Sequence, residues 1–298
     1  MKGIITIAGY GTRFLPASKA IPKEMIPIAG KPLIQYHVEG LVAAGIREII
    51  VVVRETGAIV QDHFSPNPDL QMHLEESGKL DLLEEMRDLN RMADIVLVRQ
   101  PEDLPYGNAT PALAARNWLN PGEPFYYMFG DDIVMGDVAI PQQMVNTFDE
   151  REPAAVLAAQ EVPDEETHLY GCIELKPGTY NEMTRIVEKP APGTAPSNLV
   201  QIGHFIFTPE IFEILDGLET GKGGELWLAD GVDGLAQRSS VVVHPIEGIW
   251  MAAGDPLRQL KACIEVSLRR DDMRDELVGY LREVGDRAIK RQSDRAMK

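Results

Sequence analysis

Short apolar runs alternating with amphipathic stretches organise the first half of the chain. Gly3 to Ile7 is an apolar run of strand length that ends in the glycine-rich turn Ala8-Gly9-Tyr10-Gly11. Residues 31–44 carry apolar side chains at 33, 34, 38, 41 and 42 and meet Gly45, the spacing and stop of a helix. Glu48 to Val53 is a continuous β-branched run, which predicts a strand covered on both faces. Asp94 to Arg99 and Pro124 to Phe129 predict two more strands, with a helix over Thr110 to Leu119 between them. Strands separated by helices imply βαβ units and right-handed crossovers. The pattern therefore predicts an α/β fold built on a doubly wound, mostly parallel, Rossmann-like sheet.

Beyond about residue 150 the strand candidates shorten. Ala154 to Ala159, Gly171 to Leu175, Arg185 to Glu188 and Gln201 to Phe207 are separated by turns rich in Pro and Gly. Helices are expected over Pro209 to Leu215 and near Leu226 to Ala236. Leu277, Leu281, Val284 and Ala288 make one apolar stripe on a charged C-terminal helix. The expected organisation is one domain over 1–270, with halves at about 1–150 and 151–270, and a helical segment over 271–298.

Composition narrows the function classes. The 298 residues are 44% hydrophobic and 25% charged, a globular balance large enough to bury a core without covalent staples. Cys172 and Cys263 are the whole cysteine complement, which excludes a disulfide scaffold and a cysteine-rich metal site. No apolar run approaches the roughly 20 residues that cross a bilayer, and the N-terminus has no signal-peptide pattern, so a cytoplasmic protein with reduced thiols is expected. A net charge of −17 argues against non-specific nucleic-acid binding, which needs clustered Lys and Arg. It leaves a nucleotide ligand open, because backbone N–H groups and a few local cations can hold phosphates.

The loop after the first strand has that chemistry. Gly9 and Gly11 let the backbone curl so that N–H groups converge on an anion, as do those of Ala8 and Thr12 beside them. Arg13 adds a planar fork and Lys23 a compact second cation. Two common phosphate motifs do not fit: Phe14 stands where a dinucleotide fingerprint needs its third Gly, and no Gly-Lys-Ser/Thr is present. The histidines show no HxxxH or HxH spacing, and no G-x-S-x-G elbow occurs, so a His-based metal centre and a serine hydrolase are disfavoured.

Residues 8–36, AGYGTRFLPASKAIPKEMIPIAGKPLIQY, resemble the signature of the sugar-phosphate nucleotidyltransferases, most closely the bacterial UTP–glucose-1-phosphate uridylyltransferases. The resemblance implies a reaction of UTP with α-D-glucose 1-phosphate to give UDP-glucose and pyrophosphate, with Mg²⁺ as cofactor. It also implies a homo-oligomer, dimer or tetramer. The loop would wrap the triphosphate, with Arg13 and Lys23 on the departing pyrophosphate. Further matches follow in order along the chain. Gln100, at a strand end, would read the pyrimidine edge, since a primary amide both donates and accepts. Asp131, first of two acids after a strand, would bind Mg²⁺, which favours one or two carboxylates with phosphate and water. Asp132 would orient the site or bind the metal through water. Gly171, Glu188, Asn198 and Glu225 would contact the sugar, with a further contact near Gly203-His204, and Lys189 would hold the sugar phosphate and the α-phosphate.

Two stretches depart from the family pattern. Leu104 to Pro111 (LPYGNATP) replaces Gly-Leu-Gly-His-Ala, keeping Gly107 and Ala109 but placing Asn108 where a His is usual. Nucleotide preference is the property this bears on, so a thymidylyltransferase, or a transferase for another sugar 1-phosphate, is an alternative. Near 250 the family carries Asp-x-Gly, whereas this chain reads Ala252-Ala253-Gly254. An Ala binds no metal, and Asp255 would reach the site only if the local backbone differs. A sugar-nucleotide binder with little or no turnover, modulating a catalytic relative, is therefore the second alternative.

Overall fold

A computed structural model describes residues 1–54 and 57–296, and the side chains of these except Lys222 and 291–296. The first half runs β1 (Lys2–Ile7), a two-residue ladder of β2 (Pro27–Ile28) and β3 (Lys31–Pro32), α1 (Leu33–Ala43), β4 (Glu48–Val53), α2 (Ala58–Phe64), α3 (Pro68–Glu76), α4 (Leu80–Arg91), β5 (Asp94–Arg99), α5 (Thr110–Ala115), β6 (Phe125–Phe129), β7 (Asp132–Met135) and α6 (Ile140–Arg151). The second half continues with β8 (Ala155–Glu161), β9 (Gly171–Leu175), β10 (Met183–Glu188), β11 (Leu199–Phe207), α7 (Glu210–Asp216), α8 (Leu228–Ala236), β12 (Val241–Pro245), β13 (Ile249–Ala252), α9 (Pro256–Ser267) and α10 (Arg274–Ala296). The last two residues of the expected C-terminal helix lie outside the described residues.

The α/β architecture expected from the alternation is the one observed. Its parallel centre is β6–β1–β4–β5, with β12 pairing β8 in parallel further along. β11 enters antiparallel beside β6 and also pairs with β8 and β9, so both halves of the chain share one nine-stranded sheet. Alternate residues feed two layers, as a pleated strand requires. Ile4, Ile50, Val52, Phe125 and Tyr127 pack on one face, and Ile5, Val51, Val53, Tyr126 and Met128 on the other. Each such side chain, fully buried, contributes about 1.5–3 kcal/mol. That is why β4 reads as an unbroken apolar run.

The helix expected over 31–44 begins at Leu33, because Lys31 and Pro32 pair with Pro27 and Ile28 first. That over 110–119 is α5 followed by a 3₁₀ turn at Arg116–Trp118. α2, α3, α4, α6 and α9 join the expected helices, and β7, β12 and β13 join the expected strands. On α10, Leu277 and Leu281 are half-buried, while Tyr280, Val284 and Ile289 are exposed.

Candidate active site

Two adjoining cavities, of about 350 and 510 Å³, open past the carboxyl ends of β1 and β6, where ligands bind in open α/β sheets. Arg13, Asn108, Phe129, Asp131 and Lys189 wall both, so they stand at the junction. The smaller cavity is lined by Ala8, Gly9, Lys23, Gln100 and Gly107 among others, which gathers residues expected around the nucleotide from the loops after β1 and β5; Glu225, expected on the sugar side, lines this cavity and not the larger one. Gly11 and Thr12 lie behind this wall. Gly11 adopts φ 62°, and its carbonyl accepts from the Phe14 N–H and the Ser18 hydroxyl, both at 2.8 Å. A Cβ at Gly11 would also sit 3.0 Å from that of Ser18, so glycine makes the bend that carries Arg13 into the cleft.

Charge is concentrated at the junction. Lys23 Nζ donates to Asp131 Oδ2 at 2.5 Å and lies 3.6 Å from Glu24 Oε1. Burial alone would raise the Asp131 carboxyl, but the Lys23 charge and hydrogen bond, with help from Arg13, hold it below its ordinary value. Burial works to lower Lys23, yet Asp131 and Glu24 outweigh it and keep the ammonium protonated. Glu24 is 2% exposed, and burial pushes its carboxyl up to about 7 despite Lys23. The turn carrying Asp131 is fixed from three sides. Gly130 N–H donates to Thr6 O at 3.1 Å, His37 Nε2 donates to Gly130 O at 3.0 Å, and Ala253 N–H donates to Asp131 O at 2.7 Å. His37 is buried, which pushes its imidazole down to about 4 and leaves a neutral ring as the donor.

Asp132 is occupied otherwise. Its Oδ1 accepts from Trp250 Nε1 at 2.8 Å and its Oδ2 from Gly203 N–H at 3.0 Å. Burial, then the neighbouring Asp131 charge, raises its pKa. Asp132 thus ties β7 to β13 and β11. A Cβ at Gly203 would fall 2.4 Å from Asp132 Oδ2, so glycine is needed for that approach.

The larger cavity holds Gly171, Glu188 and Lys189 of the expected sugar side. Gly171 pairs with Glu188 across β9 and β10, which brings both to one strand end. Burial raises the Glu188 carboxyl above its usual range. Lys189 Nζ sits 3.2 Å from Glu188 Oε1 and 4.3 Å from the centre of the Trp227 ring, which aims the ammonium across the junction. Asn198 is not on either wall: it precedes β11, and its carbonyl accepts from Val162 N–H at 3.0 Å. His204 is also turned away, its Nδ1 2.9 Å from the Tyr126 hydroxyl in the opposite layer, while Gly203 keeps the cavity face.

Both departures from the family pattern have structural consequences. Asn108 Oδ1 accepts from Leu228 N–H at 2.7 Å at the start of α8, and its carbonyl accepts from the Tyr127 hydroxyl at 2.5 Å. The main chain of residues 106–109 pairs with Leu226, Leu226 N–H donating to Tyr106 O and Ala109 N–H to Leu226 O. The loop over 104–111 is therefore stitched to the turn carrying Glu225. Ala252 pairs with Asp132 in the β7–β13 ladder and lines the larger cavity, so the small residue does face the site. Asp255 is spent as a helix cap, its Oδ1 accepting from the N–H groups of Leu257 and Arg258 at the start of α9. Sequence reasoning missed Glu24, Trp250, Gln201, His168 and Arg258. Only Glu24, next to Lys23 in the same motif, carried a signal.

Comparison with known proteins agrees with this geometry. A family model described as "Nucleotidyl transferase" matches residues 2–265. The chain is 40% identical over 282 residues to a UTP–glucose-1-phosphate uridylyltransferase of Bacillus subtilis, covering 94% of this chain and 95% of that protein. It is 42% identical to that of Staphylococcus haemolyticus over 95% and 98%. Among solved structures, the UTP-bound UGPase from Acinetobacter baumannii superposes with a TM-score of 0.85 at 30% identity, covering 95% of this chain and 98% of that one. A UDP-glucose pyrophosphorylase complexed with UDP-glucose gives 0.81 at 31%, covering 90% and 99%. Similarity that runs through both cavities and the sheet beneath them, rather than through one motif, means that this chain belongs to the nucleotidyl transferase family.

Proposed function

We propose that this chain catalyses UTP + α-D-glucose 1-phosphate → UDP-glucose + pyrophosphate. One observation carries the reading: Arg13, Asp131 and Lys189 stand at the junction of two cavities in a chain about 40% identical, end to end, to enzymes of that name. UTP sits in the smaller cavity, held mainly by residues of 1–150 with Lys189 and Glu225 entering from the other half, and the sugar sits in the larger one, held mainly by residues of 151–270. Gln100 reads the uracil edge from the strand end after β5.

A phosphate oxygen of glucose 1-phosphate attacks the α-phosphorus in line, and the bond from that phosphorus to the bridging oxygen of pyrophosphate breaks. Both reactants are anions, so the protein's work is to align them and suppress repulsion. Lys189 neutralises the α-phosphate and the sugar phosphate. Arg13 and Lys23 stabilise charge growing on pyrophosphate. No side-chain nucleophile is needed.

Magnesium fits the residues present, sparingly. No group of three or more His, Cys, Asp or Glu that would hold a metal occurs among the described residues. Asp131 remains, its Oδ2 engaged by Lys23, and one carboxylate with phosphate oxygens and water suits Mg²⁺. When bound, the ion supplies charge neutralisation on the phosphates.

Pyrophosphate release from UTP and glucose 1-phosphate, with each omitted in turn, tests the reading. Release that needs both supports it, and none would overturn it. UTP or UDP-glucose raising the Tm without release would favour the non-catalytic binder that Ala252 suggests.

Ala252→Asp is expected to lower the Mg²⁺ concentration for half-maximal rate by about tenfold, roughly 1.4 kcal/mol. Without metal, a third carboxylate beside Asp131 and Asp132 should lower the Tm by about 3 °C. Magnesium should close that gap. Equal Mg²⁺ titrations and equal Tm values for both proteins would show that position 252 has no part in holding metal.

A further inference from the structure

Gln201 lies within β11 and is 7% exposed, yet its side-chain Oε1 has no hydrogen-bond partner among the described residues. Gln201 lines the larger cavity with Gly171, Glu188 and Gly203. Alternation along the strand explains the placement, since Ile202 joins the opposite apolar layer and His204 meets Tyr126 there. Gly171 leaves the space between the two polar side chains open. A Cβ there would stand 3.0 Å from Glu188 Oε2 and 3.1 Å from Gln201 Cγ, so both close on the same spot. A buried amide left unmatched weakens the fold, and an apolar residue would suit this strand better unless the amide has a partner to meet.

We propose that Gln201 is a specificity-determining residue whose side-chain amide hydrogen-bonds a hydroxyl of the hexosyl group, beside Glu188. The proposal rests on reading the larger cavity as the sugar side. An ionised Glu188 only accepts, whereas an amide offers an acceptor and a donor, so the pair can fix a hydroxyl's orientation as one residue cannot.

The test uses Gln201→Leu and Gln201→Met, both close to Gln in volume, with UTP and a set of glucose 1-phosphates each lacking one hydroxyl. For glucose 1-phosphate, kcat/KM should fall roughly 10–100-fold while KM for UTP stays within about twofold. One deoxy analogue should be used equally well by wild type and variants, because the contact is already gone. If every analogue keeps the same ratio between wild type and variants, Gln201 touches no hydroxyl and the proposal falls. A second measurement does not depend on turnover: calorimetry of UDP-glucose and UDP binding to the full chain. A variant that narrows the preference for UDP-glucose over UDP by about tenfold or more supports the contact. A variant that weakens both alike, as mere loosening of β11 would, overturns it. Absence of pyrophosphate release from wild type would sink the reaction proposed above, and the affinity ratio would still decide the role of Gln201.

Discussion

Asp131→Asn should lower kcat by at least about 10³-fold while the chain stays folded. The amide keeps the size of the side chain, and the main-chain bond from Ala253 N–H to Asp131 O does not depend on it, so the turn after β6 is retained. What goes is the negative charge. Lys23 then keeps Glu24 alone as an anionic neighbour, at 3.6 Å, and the carboxylate best suited to Mg²⁺ is absent. Removing one partner of a buried pair also costs stability, up to about 3 kcal/mol here. A moderate fall in Tm should therefore accompany the loss of rate. Pyrophosphate release with saturating substrates, beside circular dichroism on the same sample, separates the two effects. A variant with kcat within tenfold of wild type would remove Asp131 from the reaction centre.

Lys189→Met is expected to reduce kcat by roughly 10²–10³-fold with a smaller change in the KM for UTP. Lys189 walls both cavities at their junction, which in the proposed reaction is where the α-phosphate and the sugar phosphate meet. Its charge therefore matters most when the two anions meet, an interaction stronger in the transition state than in either ground state. Met keeps the apolar stem against Trp227 and is unbranched at Cβ, which suits a residue held at φ 43°. Steady-state rates with each substrate varied provide the check. A rise in KM for UTP with kcat unchanged would make Lys189 a binding residue for the triphosphate alone.

Legibility of this molecule followed the kind of signal each element carries. β1, β4 and β6 are buried on both faces, so β4 after Glu48 and β6 are apolar or aromatic throughout and β1 is interrupted only by Thr6 between Gly3 and Ile7, and the sequence betrays them. α3 and α4 lie at the surface and bury only Leu74, Leu83 and Leu89 between them, too few for a clear stripe among so many charges. β7 and β13 are four residues each, and their pairing joins segments more than 100 residues apart. The N-terminal loop was legible because its glycines, Arg13 and Lys23 lie within fifteen positions and each meets a local chemical need. Asn198 and His204 were placed by motif order alone; Asn198 precedes β11 and is on neither cavity wall, and alternation along β11 turns His204 to Tyr126 in the opposite layer.

The sequence by itself determined the alternating α/β architecture and the grouping of Gly9, Gly11, Arg13 and Lys23 in the loop after β1, both properties of neighbouring residues, and the family resemblance marked Ala252 as a departure. Tertiary structure alone decided how the acids divide their work. Asp131 and Asp132 are adjacent and identical in chemistry, yet one pairs with Lys23 across 108 positions and the other with Trp250 across 118. Asp131 lies in the turn after β6 and Asp132 opens β7, and the partners that set each charge are brought by β11, β13 and the N-terminal loop. Only the folded sheet delivers them to the same place.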